Sequence, residues 1–256
     1  MAPTAVITGG AKGLGREIAG ALLAAGYQVA ISGRDKDALA ETAGRLDPSG
    51  VQVLPVACDI RDEQAVTDLA EATLDRFGRI DVLVNNSGIA GPTAPLWETA
   101  PDEWLDTLQT NVYGTFLCCR AVLPAMVAQG AGSIVTIGSM TGKRPLFGRT
   151  GYAASKTALI GLTRTLAAEA GPFGIRVNLI SPGPLDGERI RQVFAAQARQ
   201  RGITAEQVQD EMVSESPLRR LVPQSDVASA VVFLAGPQSA SVTGEDLNVS
   251  AGIVTY

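Results

Sequence analysis

Short, nearly continuous apolar runs alternate with longer Ala/Leu-rich stretches of helical period along the whole chain. The runs Thr4–Thr8, Gln28–Ser32, Val51–Ala57, Asp81–Asn85, Ser133–Ile137, Arg176–Ser181 and Asp246–Val249 predict strands. The stretches Leu14–Ala25, Asp37–Leu46, Glu63–Phe77, Asp102–Ala128, Tyr152–Ala170 and Ser225–Leu234 predict helices. Strands without a polar alternation are those buried on both faces, so the pattern predicts a parallel sheet with helices on either side.

Right-handed crossovers turn that alternation into an α/β fold with a doubly wound, Rossmann-like sheet. No linker, repeat or low-complexity tract divides the 256 residues, which predicts one domain over 1–256. The alternation lapses only over Pro182–Pro223, where two polar amphipathic stretches follow, Glu188–Arg201 and Ala205–Ser214. They predict a helical substrate flap over about 184–223, or equally an ordinary surface helix pair.

Composition changes this picture in one respect above all: the chain contains no histidine. That excludes Ser-His-Asp hydrolysis, Cys-His proteolysis and His-ligated metal sites, so no metal is expected. Proton transfer near neutral pH falls to Tyr, Lys, Cys or shifted carboxylates. Twenty-one basic against 26 acidic residues give a net charge of −5, so no global field draws the protein to nucleic acid or anionic membrane. No apolar run approaches the roughly 20 residues that span a bilayer, and no signal-like segment precedes the first strand. Cys58, Cys118 and Cys119 form no spaced framework, so a reducing cytoplasm is the expected location.

After the first strand comes Thr8-Gly9-Gly10-Ala11-Lys12-Gly13-Leu14-Gly15, leading into a helix. A backbone free of Cβ atoms, aimed at a helix N-terminus, suits a pyrophosphate, and this strand-turn-helix context is where such a motif means dinucleotide binding. Further along stand Asn85-Asn86-Ser87-Gly88 after the fourth strand, Asn111, Ser139 after the fifth strand, Tyr152-Ala153-Ala154-Ser155-Lys156, and Pro182-Gly183 after the sixth. In order and spacing these marks resemble the short-chain dehydrogenase/reductase family over essentially the whole chain.

Tyr152 and Lys156 stand four apart, one helical turn from each other. A phenol has an ordinary pKa of about 10. An adjacent ammonium and an oxidised nicotinamide would lower it, letting tyrosine do histidine's work. The resemblance implies an oxidoreductase that interconverts a ketone and a secondary alcohol. Tyr152 would be its acid/base, Ser139 would orient the carbonyl oxygen, Lys156 would hold the nicotinamide ribose, and Asn111 would anchor a proton relay. Singly, each has an ordinary alternative: a surface tyrosine, a solvated lysine, a turn serine, a helix-bend asparagine.

The resemblance also implies cofactor contacts at Gly9, Lys12, Gly13, Leu14, Gly15, Asp59, Ile60, Asn85, Gly88, Pro182 and Gly183, with Tyr152 and Lys156. Asp59 would face the adenine and Ile180, Pro182 and Gly183 the nicotinamide. A threonine the family often carries after Pro-Gly is missing from Pro184-Leu185-Asp186-Gly187. NAD-preferring relatives carry an acid where this chain has Gly33, and Arg34 follows at once. Arg34, with Lys12, suits a 2′-phosphate, which predicts NADP(H), with NAD(H) as the alternative.

The substrate is expected to be a small carbonyl or alcohol. The segment from Gln197 to Val208 is similar to the flap of bacterial 3-hydroxybutyrate dehydrogenases. Their carboxylate-binding glutamine and histidine correspond to Ala90 and Thr141 here, so that substrate does not carry over. Lys143, Arg144 and Arg149 flank the site in sequence, either to meet an anionic substrate or as solvated loop charges. A 3-oxoacyl carrier-protein reductase is the rival enzyme, and an NADP(H)-binding sensor the rival of another class. The helices Asp102–Ala128 and Tyr152–Ala170 suggest a homo-oligomer, dimer or tetramer, unless they pair within one subunit.

Overall fold

The computed structural model describes all 256 residues. Seven parallel strands form one sheet: β1 (Thr4–Thr8), β2 (Gln28–Gly33), β3 (Val53–Ala57), β4 (Val82–Asn85), β5 (Gly132–Ile137), β6 (Ile175–Pro182) and β7 (Asp246–Val249). Their order is β3-β2-β1-β4-β5-β6-β7, so the winding reverses between β1 and β4. Such a switch point opens a crevice at the strands' carboxyl ends. The doubly wound, Rossmann-like α/β class expected above is what the chain adopts.

The helices are α1 (Gly13–Ala24), α2 (Lys36–Leu46), α3 (Glu63–Phe77), α4 (Pro101–Leu108), α5 (Gly114–Gln129), α6 (Thr150–Ala170), α7 (Glu188–Arg201), α8 (Ala205–Glu215) and α9 (Gln224–Ala235). Within β1, Ile7 joins a core with Ile18 and Leu22 of α1 and Val231 of α9. Val6 joins the opposite core with Leu69 of α3 and Leu117 and Met126 of α5. Adjacent residues thus feed two cores, which is why the strands read as unbroken apolar runs.

Local chemistry sets the boundaries. Asp62 starts α3 by accepting from Gln64 N at 2.9 Å and Ala65 N at 3.2 Å, and Gly78, at φ +78°, ends it. The third strand begins at Val53 instead of Val51, because the Asp47 carboxylate takes the N–H of Gln52 at 2.6 Å and of Val53 at 3.2 Å. The helix expected over Asp102–Ala128 contains a π-turn, Gln109–Tyr113, between α4 and α5. Its 29 continuous residues are long and apolar enough to cross a bilayer, contrary to the reading of the sequence. They pack instead on α3, β4, β5 and α6 as a core helix.

The chain between β6 and α9 leaves and returns at one point, where Asp186 N donates to Val222 O and Val222 N to Pro184 O, both at 2.9 Å. Between those stitches α7 and α8 form a small core of Phe194, Ala198 and Val208. Thr204 starts α8 with a reciprocal capping box to Gln207.

Candidate active site

The glycine turn is shaped by its neighbours. Gly9 lies at φ +67° and Gly13 at φ +53°, where a side chain is strained. A Cβ on Gly15 would stand 2.1 Å from Gly9 O, so only glycine lets α1 start so close to β1. Asn86 pins the turn, its Nδ2 donating to Thr8 O at 2.9 Å and Gly9 O at 3.2 Å. Thr8 Oγ1 in turn accepts from Asn86 N and Ser87 N, each at 3.0 Å. No side chain caps α1 at Lys12, which leaves its first N–H groups for a phosphate. The residues present therefore fit a pyrophosphate.

Other expected contacts sort themselves differently. Asn85 turns inward, with Nδ2 against Cys119 Sγ at 3.3 Å and Thr136 Oγ1 at 3.4 Å, so its side chain does not face the crevice. Ile60 is buried, with its side chain and its carbonyl oxygen both packed against Gly114. Gly88 approaches Asn111 so closely that a Cβ would sit 3.0 Å from Oδ1. Gly183 packs on Ser250, and Pro182 closes β6. Arg61 holds Asp59, its Nε at 3.0 Å from Oδ1 and its Nη2 at 2.6 Å from Oδ2, while Nη1 reaches Asp106 at 2.7 Å. That clamp keeps the Asp59 carboxyl below its ordinary range. Arg34 and Lys12 are exposed and free of ion pairs. Asp35 beside Arg34 spends its charge capping α2, accepting from Ala38 N at 3.1 Å.

The four polar residues singled out from sequence converge at the ends of β4 and β5. Lys156 Nζ donates to Ile137 O at 2.7 Å and lies 5.7 Å from the Tyr152 ring centre. Ser139 Oγ accepts from Thr141 N at 3.1 Å, and its hydroxyl helps lower the phenol pKa. Asn111 occupies the π-turn, accepting from Ile89 N at 2.8 Å and donating to Ile89 O and Ser155 Oγ, each at 3.0 Å. Burial pushes the Tyr152 phenol up, but Lys156, Arg189, the Ser139 hydroxyl and Arg149 together hold it below its ordinary value. Burial lowers Lys156, against the pull of Tyr152 and with the push of Arg189.

Of the three cations flanking the site in sequence, none is a solvated loop charge. Lys143 forms a buried ion pair with Asp246 at 2.9 Å and donates to Asn248 Oδ1 at 2.7 Å. Arg144 pairs with Glu215 at 3.0 Å. Arg149 is buried with its guanidinium 4.9 Å from the Tyr152 ring centre, donating to Ala90 O at 2.7 Å. Thr141, Arg144, Gln197, Arg201 and Glu211 line a cavity of about 110 Å³ under α7 and α8. Sequence reasoning missed Asn86, Arg61 and Arg189. Only Asn86 carried a signal, its place next to Asn85.

A glycine turn that fits a pyrophosphate and a tyrosine whose phenol is held low, both at the carboxyl ends of the strands, match the class of dinucleotide-dependent oxidoreductases. Within that class, a family model described as enoyl-(acyl carrier protein) reductase matches residues 9–254. The chain belongs to the short-chain dehydrogenase/reductase family. It is 31% identical to a 3-oxoacyl-[acyl-carrier-protein] reductase of Staphylococcus epidermidis, over 99% of both chains. It is 34% identical to the 7alpha-hydroxysteroid dehydrogenase of Escherichia coli, covering 97% of this chain and 92% of that one. Among solved structures, a variant of actinorhodin polyketide ketoreductase with NADPH superimposes at a TM-score of 0.95, with 34% identity over 100% of this chain and 98% of that chain.

Proposed function

We propose that the protein is an NADP(H)-dependent oxidoreductase interconverting a ketone and a secondary alcohol, with Tyr152 as acid/base. The observation that carries this is the grouping of Ser139, Tyr152 and Lys156 beside the glycine turn, with the phenol held below its ordinary pKa. The bound cofactor supplies or accepts the hydride. Tyr152 gives a proton to the carbonyl oxygen in reduction and takes it from the alcohol in oxidation. Ser139 orients that oxygen, Lys156 holds the nicotinamide ribose and tunes the phenol, and Asn111 supports the relay behind Lys156. Arg34 and Lys12 hold the 2′-phosphate, and the ketoreductase solved with NADPH supports that choice. The test is NADPH and NADH oxidation against ketones, keto acids, sugars and acyl thioesters. NADPH-dependent turnover lost in Tyr152→Phe supports the reading, and tight NADPH binding without turnover refutes it.

The helices α7 and α8 act as the substrate flap, standing on the stitched base at Val222. A homo-oligomer fits the exposed Leu105, Tyr113 and Phe116 on α4, the π-turn and α5, and sizing in solution tests it. Three free thiols suit a cytoplasmic location.

A further inference from the structure

Arg149 and Arg189 are in an unusual electrostatic position. Arg149 is 4% exposed, yet it takes part in no ion pair of the fold. Its partners are neutral: Ala90 O at 2.7 Å, Thr93 Oγ1 at 3.3 Å and the Tyr152 ring. Its Nε has no partner at all. A buried charge without a counter-charge is costly, and such groups are normally paired. Arg189 comes from the first turn of α7, is exposed, and forms no ion pair either. Its charge acts on Tyr152, Lys156 and Arg149 together. The loop before Arg149 abuts the C-terminal end of α7, since a Cβ on Gly148 would meet Gln200 Oε1 at 3.2 Å, so the loop and the flap helix share one wall.

Neighbouring cations are treated differently. Arg144 is matched by Glu215, Arg191 by Asp186, Arg201 by Glu211 and Lys143 by Asp246. Lys156 and Arg149 stand against the Tyr152 ring and the charge of Arg189 bears on it from α7, with no carboxylate paired to any of them. In a protein of net charge −5, three unmatched cations at one tyrosine form a local positive well. The cofactor's phosphates belong at the glycine turn and beside Arg34, so they do not fill it.

We propose that the substrate carries an anionic group, a carboxylate or a phosphate ester, which Arg189 contacts from the flap over the buried charge of Arg149. This rests on the ketoreductase reading for the identity of the site. The anion would draw α7 down over the carbonyl, coupling substrate charge to flap closure.

The test uses the intact enzyme with NADPH and two pairs that share a reacting ketone but differ in charge, acetoacetate with acetoacetamide and dihydroxyacetone phosphate with dihydroxyacetone. In at least one pair, kcat/KM for the anion exceeds that for the neutral partner by about tenfold or more, as a charge-assisted bond implies. Arg189→Gln brings that ratio close to one. The pair that shows the preference distinguishes carboxylate from phosphate. Equal kcat/KM within both pairs overturns the anion site while leaving the ketoreductase reading intact. If nothing is turned over, calorimetric titration of the same four compounds into NADPH-saturated Tyr152→Phe enzyme reads the preference from Kd. Tighter binding of an anion, lost on adding Arg189→Gln, upholds the site while the ketoreductase reading falls. Equal or absent binding overturns it.

Discussion

The Asn111 side chain donates to Ser155 Oγ at 3.0 Å, and that hydroxyl donates onward to the carbonyl of Tyr152 at 2.7 Å. The π-turn on one helix is thereby tied to the first turns of α6, where the acid/base stands. Asn111→Leu breaks this tie and both bonds to Ile89. Leaving those buried groups unpaired costs about 1–3 kcal/mol each. Thermal unfolding should shift down, and kcat should fall more than KM changes, as expected when the tyrosine is mispositioned.

Tyr152 sets the pH dependence. Its phenol must be ionised to take a proton from an alcohol, so oxidation rises with pH through a pKa below the ordinary tyrosine value. Reduction needs the protonated phenol and falls with rising pH through a pKa that lies higher, because the reduced nicotinamide carries no positive charge. Arg149→Met removes one of the cations that lower it, so both inflections move to higher pH. Rate profiles in the two directions check this. Tyr152→Phe should lower kcat about 10²–10⁴-fold while NADPH fluorescence titration shows binding retained.

Cofactor choice should be reversible at the end of β2. A Cβ on Gly33 would meet only Leu39 and Ala11, at 3.8–3.9 Å, so an acid fits there. Arg34→Ala should weaken NADPH by about 10–100-fold, the loss of a charge-assisted bond, with NADH little changed. Gly33→Asp with Arg34→Ala should invert the preference. Equal weakening of both cofactors by Arg34→Ala would refute the 2′-phosphate assignment.

Lys143 and Asp246 test the support behind Ser139. Their ion pair joins the loop after β5 to β7, and both side chains are under one-tenth exposed. Lys143→Met leaves a buried carboxylate and should cost about 3–5 kcal/mol, whereas Lys143→Met with Asp246→Leu should recover most of it. Chemical denaturation of the two variants distinguishes a structural pair from a substrate-binding lysine.

The sheet and the glycine turn were legible because each rests on local pattern: apolar runs for strands, glycines where backbone must pass backbone. Tyr152, Lys156 and Ser139 were legible by spacing along adjoining elements. Arg149 was legible only as one of three flanking cations, and Arg189 not at all. They are 40 residues apart, and their shared relation to Tyr152 arises only when α7 folds back over the loop before α6. The π-turn was equally hidden, since its cause is the bonding of Asn111 to Ile89, 22 residues upstream. The division of labour in Asn85-Asn86 was not legible either, since only the fold shows the Asn85 side chain turned to Cys119 and Thr136 and that of Asn86 bonded to the glycine turn.

The burial of the cysteines has a practical result. Burial pushes Cys58 to about 11 and Cys119 to about 12, Cys118 is also driven upward, and the chain has no imidazole. The two side-chain chemistries that usually buffer a protein near neutrality are therefore silent here. In a weakly buffered solution with an indicator dye, proton uptake during carbonyl reduction should run one-for-one with NADPH loss, giving a second optical count of turnover with little background from the protein.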